Sequence, residues 1–169
     1  MLVLLLSLLI AAADQAVKYA IRERLFPGEI VSVMSGFLNL TYVRNTGAAW
    51  GVFSGFNRWL VVLSVVVLLL IVVFRRCFLT DSRAHRVCLG LMIGGIVGNL
   101  VDRLRLDYVV DYIDFFCRGY HFPSFNIADA AICTGVGLYM LSTALTREPP
   151  DQTDEVGPRP KANERESKD

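Results

Sequence analysis

Residues 59–74 read WLVVLSVVVLLLIVVF, sixteen positions without a charge in which Ser64 is the lone polar side chain. As a helix rising about 1.5 Å per residue, such a run is membrane-sized, and a soluble core has no use for one. The rest of the chain agrees. Of its 169 residues, 54% are apolar and only 20% charged, and the mean hydropathy is positive, which is too greasy for an ordinary soluble domain. A formal net charge of +1 sets up no field for nucleic acid. Cys77, Cys88, Cys117 and Cys133 form no CxxC pair and lack the spacing of a zinc site, so they read as small apolar fillers. A cysteine nucleophile would need a histidine, and His121, four residues after Cys117, is the nearest candidate.

Outward from this run, four membrane spans are expected at about 2–24, 59–79, 87–103 and 126–146. The first begins with the charge-free stretch Leu2 to Ala13. Ala11-Ala12-Ala13 could pass for a signal-peptide cleavage site, but no basic residue precedes the apolar stretch, so it reads as a retained helix. Pro27-Gly28 ends it. Two strands follow, Ile30 to Met34 and Phe37 to Val43, and in the second Leu38, Leu40 and Tyr42 alternate with Asn39 and Thr41 in the period-two pattern of a half-buried strand. Asn45-Thr46-Gly47 is turn chemistry, and the Gly- and aromatic-rich stretch Ala48 to Phe56 suits a loop or short helix at the interface. Arg75, Arg76, Arg83 and Arg86 mark a cytoplasmic loop and place the N-terminus inside. In the third span Gly90, Gly94 and Gly98 recur every four residues, so this helix packs centrally. A polar, aromatic connector runs from Leu104 to Phe125. Residues 147–169, almost without apolar residues and holding four of the six prolines, read as a disordered tail. Four spans bring both termini to the cytoplasmic side.

With this topology the acids collect on the outer side. Asp102, Asp107, Asp111, Asp114 and Asp129 lie within 28 residues, beside Asn99, Arg103 and Asn126. Ionisable groups at membrane depth cost about 2.5–3.5 kcal/mol each on insertion scales, so those that persist have partners or a function. Two neighbouring carboxyl groups share a proton, and such a pair can hydrolyse a peptide bond. One takes a proton from the attacking water while the other supports the oxyanion and then the leaving amine, with no metal, cofactor or covalent intermediate required. Partial burial would supply the upward pKa shift that this needs at neutral pH. Each acid also has a structural reading. Asp102, next to Arg103 and one turn after Asn99, reads as a polar helix end with an ion pair. Asp107 and Asp114 read as solvated. Asp129 fits the first helical turn after an Asn126 cap, where the helix dipole favours a negative charge. Asp111, alone in Tyr108-Val109-Val110-Asp111-Tyr112-Ile113, is poorly described as a solvated face.

Five blocks together resemble the lipoprotein signal peptidases, or type II signal peptidases, aspartic proteases of bacterial membranes. They are Asp14-Gln15-Ala16-Val17-Lys18, Asn45-Thr46-Gly47-Ala48-Ala49, Gly98-Asn99-Leu100-Val101-Asp102-Arg103, Val109-Val110-Asp111 and Phe125-Asn126-Ile127-Ala128-Asp129. The resemblance implies Asp111 and Asp129 as a catalytic dyad. It implies that Asn45, Gly47, Asn99, Asp102, Arg103 and Asn126 line or brace the site, with Asp14 and Lys18 near it. It implies an α-helical integral membrane protein of four transmembrane helices with a small extracytoplasmic β-cradle, at about 28–56, and an interfacial helical segment. Residues 1–146 would be the peptidase domain and 147–169 a cytoplasmic tail, in the bacterial inner membrane with the active site at the extracytoplasmic face. The implied substrates are prolipoproteins whose lipobox cysteine already bears diacylglycerol, held by membrane lipid and cut just before that cysteine, and the implied inhibitor is the cyclic peptide globomycin. Asp107, Asp114 and the tail depart from the family pattern. A proton-coupled transporter is the main alternative, but its coupling acid belongs near mid-span, whereas these acids sit at helix ends. A serine protease lacks a Gly-x-Ser-x-Gly block around Ser124, and a non-catalytic scaffold leaves the polar blocks unexplained.

Overall fold

Helix α1 spans Leu2–Arg24 and matches the expected first span. α2 (Asn57–Val73) opens two residues before the charge-free run. α3 (Arg83–Leu106) and α4 (Ile127–Thr146) follow. The computed structural model describes residues 1–48, 52–74 and 82–146. The expected end of the second span at 79, Cys77, Arg75, Arg76 and the tail at 147–169 lie outside the described residues. Among those residues, three helices, α1, α3 and α4, are long and apolar enough to cross a membrane, and α2 is a shorter apolar helix. α3 is longer than expected at both ends. Its first turn is capped by the Ser82 hydroxyl, which accepts from the Ala84 N–H at 3.2 Å, and its last turn closes on Asp107 in the left-handed conformation.

The glycines of α3 set how closely the helices approach. A Cβ at Gly90 would lie 2.9 Å from the Leu6 side chain, and one at Gly94 would lie 2.8 Å from the Ser7 carbonyl oxygen. At Gly98 it would meet Asp14 Oδ2 at 2.7 Å, and at Gly95 it would collide with the Ala128 carbonyl of α4. Gly135 of α4 returns the arrangement, with the Cys88 carbonyl 2.8 Å from its missing Cβ. α3 is therefore the central helix, as its four-residue glycine spacing implied.

An antiparallel sheet caps one end of the bundle in the order β1 (Ile30–Met34), β2 (Leu38–Asn45), β3 (Val109–Cys117) and β4 (Tyr120–His121). The half of it formed by β3 and β4 was expected as a connector. β2 also differs from expectation. Its polar residues Asn39 and Thr41 are buried, more so than Leu38 and Leu40, because Asn39 is paired with Asp114 and Thr41 donates to the Glu29 carbonyl. A register irregularity between Leu40 and Val43 then lets Tyr42 join Ile21, Val110 and Tyr112 in a small core between sheet and helices. Beyond β2, residues 49–51 lie outside the described residues, and 52–55 form turns within the stretch expected as a loop or short helix.

Candidate active site

Asp14 and Lys18 sit one turn apart on α1, both buried, with Lys18 Nζ 2.8 Å from Asp14 Oδ2. The same ammonium lies 3.0 Å from Asp102 Oδ2 of α3 and donates to Asn99 Oδ1 at 2.9 Å. Asp14 Oδ1 accepts from the Ala128 N–H at the start of α4 (3.0 Å), and Asp102 Oδ2 accepts from the Val110 N–H of β3 (3.0 Å). Gln15 Nε2 donates to Asp102 Oδ1 and to the Gly98 carbonyl. One buried cation and two buried carboxylates thereby tie α1, α3, β3 and α4 together, with almost every remaining lone pair occupied.

Two further carboxylates stand against this cluster. Asp111, 2% exposed, is gripped on both oxygens: Asn126 Nδ2 donates to Oδ1 at 2.7 Å and Asn45 Nδ2 to Oδ2 at 2.8 Å. Asp129, half-buried in the first turn of α4, receives Asn99 Nδ2 on Oδ1 at 2.7 Å. Its N–H donates to Asn126 Oδ1 (2.9 Å) while its Oδ2 accepts from the Asn126 N–H (3.3 Å), a reciprocal capping box. Asn126 therefore touches both acids. Burial is the largest influence on the Asp111 carboxyl, and with the Asp129 charge beside it the pKa is pushed up to about 7 against the opposing pull of Asn45, Asn126 and Lys18. Tyr112, whose hydroxyl oxygen accepts from the Ile127 N–H, is pushed well above the usual phenol range, chiefly by burial. Gly47 donates its N–H to Asn45 Oδ1 and offers its carbonyl to Arg103 Nη2 (3.2 Å), so the turn that presents Asn45 is fastened to α3.

All ten residues singled out from the sequence therefore converge on one place, with two corrections among the neighbouring acids. Asp102 does not pair with Arg103. Successive helix residues point about 100° apart, and the carboxylate turns to Lys18 while Arg103 turns to Gly47. Asp114 is not solvated. It is 3% exposed and held by Asn39 Nδ2 and His121 Nδ1, each at 2.9 Å. Asp107 is exposed as expected and accepts from Asn57. His121, engaged with Asp114, packs its ring at a tilt against that of Phe116, on the other side of the strand from exposed Cys117. Sequence reasoning did not assign Gln15 to the site. It sits three residues before Lys18, and that spacing puts both on one helix face.

Fold and site together define a helical membrane enzyme with paired acids at one end of its bundle. The profile of the Signal peptidase (SPase) II family matches residues 6–145. A lipoprotein signal peptidase of Moorella thermoacetica is 44% identical over 133 residues, covering 79% of this chain and 86% of that protein. The lipoprotein signal peptidase of Bacillus subtilis is 36% identical over 145 residues, covering 86% and 94%. A bacterial membrane enzyme structure obtained by the in meso method at 2.3 Å resolution superposes with a TM-score of 0.76 at 34% identity, covering 87% of this chain and 92% of that one. The chain belongs to the signal peptidase II family, and it is a protease of bacterial membranes.

Proposed function

We propose that the chain removes signal peptides from prolipoproteins, cutting before a lipobox cysteine that already carries diacylglycerol, with Asp111 and Asp129 as the acid pair. The observation that carries this reading is the Asp111 carboxyl, buried between two asparagine donors and pushed up to about 7 with the charge of Asp129 beside it. Near neutral pH such a pair holds one proton between its members. The ionised carboxylate takes a proton from water as the water oxygen bonds to the scissile carbonyl carbon. The protonated partner gives its proton to the carbonyl oxygen, forming a neutral gem-diol. Collapse of that intermediate breaks the C–N bond: the nitrogen takes a proton from the protonated acid while a gem-diol hydroxyl gives its proton to the ionised one, so a free amine and a carboxyl group leave and the pair again holds one proton. Asn45, Asn99 and Asn126 hold the carboxylates in place, and the Asp14–Lys18–Asp102 cluster braces the asparagines.

The reading extends to topology. α1 to α4 are four spans. The termini are cytoplasmic, with Arg83 and Arg86 at the inner end of α3, opposite the end that carries Asn99 and Asp102. The sheet is an extracytoplasmic cradle for the extended signal peptide, and the acyl chains stay in lipid beside the helices, which orients the scissile bond at the interface. Residues 1–146 carry the activity. The test is cleavage of a diacylglyceryl-modified prolipoprotein by detergent-solubilised protein, with the new N-terminus identified by mass spectrometry. Cleavage before the lipidated cysteine is expected, blocked by globomycin, absent in Asp111→Asn and Asp129→Asn, and retained by a chain ending at Thr146. Folded wild type that leaves the substrate intact refutes the proposal.

A further inference from the structure

β3 leads away from the acid pair toward an open end of the sheet. Its register shift against β2 is an extra residue on the β2 side, so along β3 the side chains alternate without interruption. Asp111, Ile113 and Phe115 therefore share one face, paired across the strands with Val43, Leu40 and Leu38. Val110, Tyr112 and Asp114, all buried, share the other. The hairpin prolongs the Asp111 face: Tyr120 pairs with Cys117, and the Phe122 N–H donates to the Phe115 carbonyl. Phe125 bridges to Ile113, with its ring 5.8 Å from that of Phe115 and 6.0 Å from that of Phe122. Phe37 adds a ring 5.2 Å from Phe115. The residue after Phe125 is Asn126, whose amide holds Asp111. A row of rings thus begins beside the acid pair and runs outward from it.

At the far end of the row is a hollow of about 280 Å³ whose walls include Phe37, Phe115, Tyr120, Phe122 and Pro123. Tyr120 is 82% exposed and Phe122 52%. Among the side chains of this face Asp111 alone is charged. Exposed rings around a hollow mark a place where a partner sits. Four residues of strand separate Phe115 from Asp111, about 13 Å, which an extended peptide covers in about four residues of its own.

We infer that this row of rings is a subsite for the prolipoprotein segment that follows the lipidated cysteine, taking an apolar side chain within about the first six residues beyond the scissile bond. The subsite presupposes the proposed function, in which the acyl chains and the apolar stretch of the signal peptide stay among the helices and lipid. The hairpin belongs instead to the sheet that caps the bundle, between the end of α3 at Leu106 and the start of α4 at Ile127. The part of the substrate that continues away from the helices at the acid pair is the segment downstream of the cut. Running on from Asp111 along the same face, it meets Phe115 and then the hollow. These rings stand too far from the reacting atoms to favour the transition state over the bound substrate, so their contribution falls on KM and leaves kcat alone.

The test uses two diacylglyceryl-modified prolipoproteins that are identical up to and including the cysteine. In one, the third to sixth residues after it are leucine and phenylalanine; in the other they are glycine and serine. Detergent-solubilised full-length wild type should cleave the first with a KM about tenfold lower and a similar kcat, the order of effect that covering one apolar side chain supplies. Tyr120→Ser combined with Phe122→Ser should raise KM for the first substrate to that for the second and leave cleavage of the second unchanged, which also shows that the variant is folded. Phe122→Leu, which keeps an apolar wall, should retain most of the preference. Equal KM for the two substrates in wild type overturns the inference and leaves the proposed function standing. So does a folded double variant that loses both substrates alike, or that keeps the full preference. Cleavage of neither substrate by folded wild type refutes the proposed function and the subsite with it.

Discussion

Replacing Lys18 by Met removes the lone cation that Asp14 and Asp102 share. Its Nζ lies 2.8 and 3.0 Å from one oxygen of each and 2.9 Å from Asn99 Oδ1, and the side chain is 2% exposed. Methionine fills much of the same volume, so the loss is electrostatic: two buried carboxylates then face the same apolar methyl. Breaking a buried pair by removing one partner costs about 3–5 kcal/mol. For a chain of this size that is roughly 6–20 °C in Tm, at about 2–4 °C per kcal/mol. Activity should fall with stability, because Asn99 Oδ1 loses the shorter of its two donors and keeps only Asn126 Nδ2 (3.2 Å) to hold its amide with Nδ2 toward Asp129. A thermal scan in detergent of wild type, Lys18→Met, Asp14→Asn and the double variant separates the terms. Asp14→Asn alone should destabilise, since it weakens the pair. In the double variant it removes one of the two stranded charges, so the coupling should be on the order of 2 kcal/mol. A Lys18→Met protein melting within about 2 °C of wild type would refute this reasoning. Additive losses in the double variant would refute it equally.

The Asp111 carboxyl titrates near 7 in the fold against 3.8 when unperturbed. The folded state therefore holds this proton more tightly, and wild type loses stability as pH rises from about 4 through 7, by up to the order of 4 kcal/mol. Asp111→Asn should abolish cleavage and raise Tm, with the Tm gain largest above about pH 7 and shrinking toward pH 4, and wild-type turnover should decline above neutrality. Gly95→Ala should lower Tm and cleavage together, since its Cβ meets the Ala128 carbonyl, while Gly137→Ala, with open space around it, should leave both near wild type. Asp129→Asn keeps a side-chain oxygen for the helix cap and should fold like wild type without cleaving, whereas Asp129→Ala should also lose about 1 kcal/mol of stability in denaturation measurements.

The helices were legible because their signal is local. The glycines of α3 recur at the spacing of one helix face, and the first span reads to Arg24 without help from elsewhere. α3 was read short because Arg83, Arg86, Arg103 and Arg105 look like membrane boundaries, although the helix continues through them. β3 was missed for the opposite reason. Its acids Asp111 and Asp114 break the pattern of a buried strand, and the groups that make their burial tolerable are far away in sequence: Asn45 is 66 positions from Asp111, and Asn39 is 75 from Asp114. Lys18 and Asp102 are likewise partners across the chain, whereas Arg103, adjacent in sequence, points elsewhere. Polar convergence of this kind appears only when the helices and sheet are assembled.

For Asp129 the structural and the functional reading apply to different atoms of one residue. Oδ2 and the backbone N–H close the capping box with Asn126, which starts α4, while Oδ1 turns to Asn99. Asn126 divides in the same way: its Oδ1 caps the helix, and its Nδ2 holds Asp111 at 2.7 Å. The cap that begins α4 therefore also fixes the two acids relative to each other, so a displacement of the helix start displaces the pair. That coupling explains why α4 begins where it does. A helix entering one residue earlier or later would rotate Asp129 by about 100° away from Asn99, and would leave the buried Asp111 with one donor instead of two.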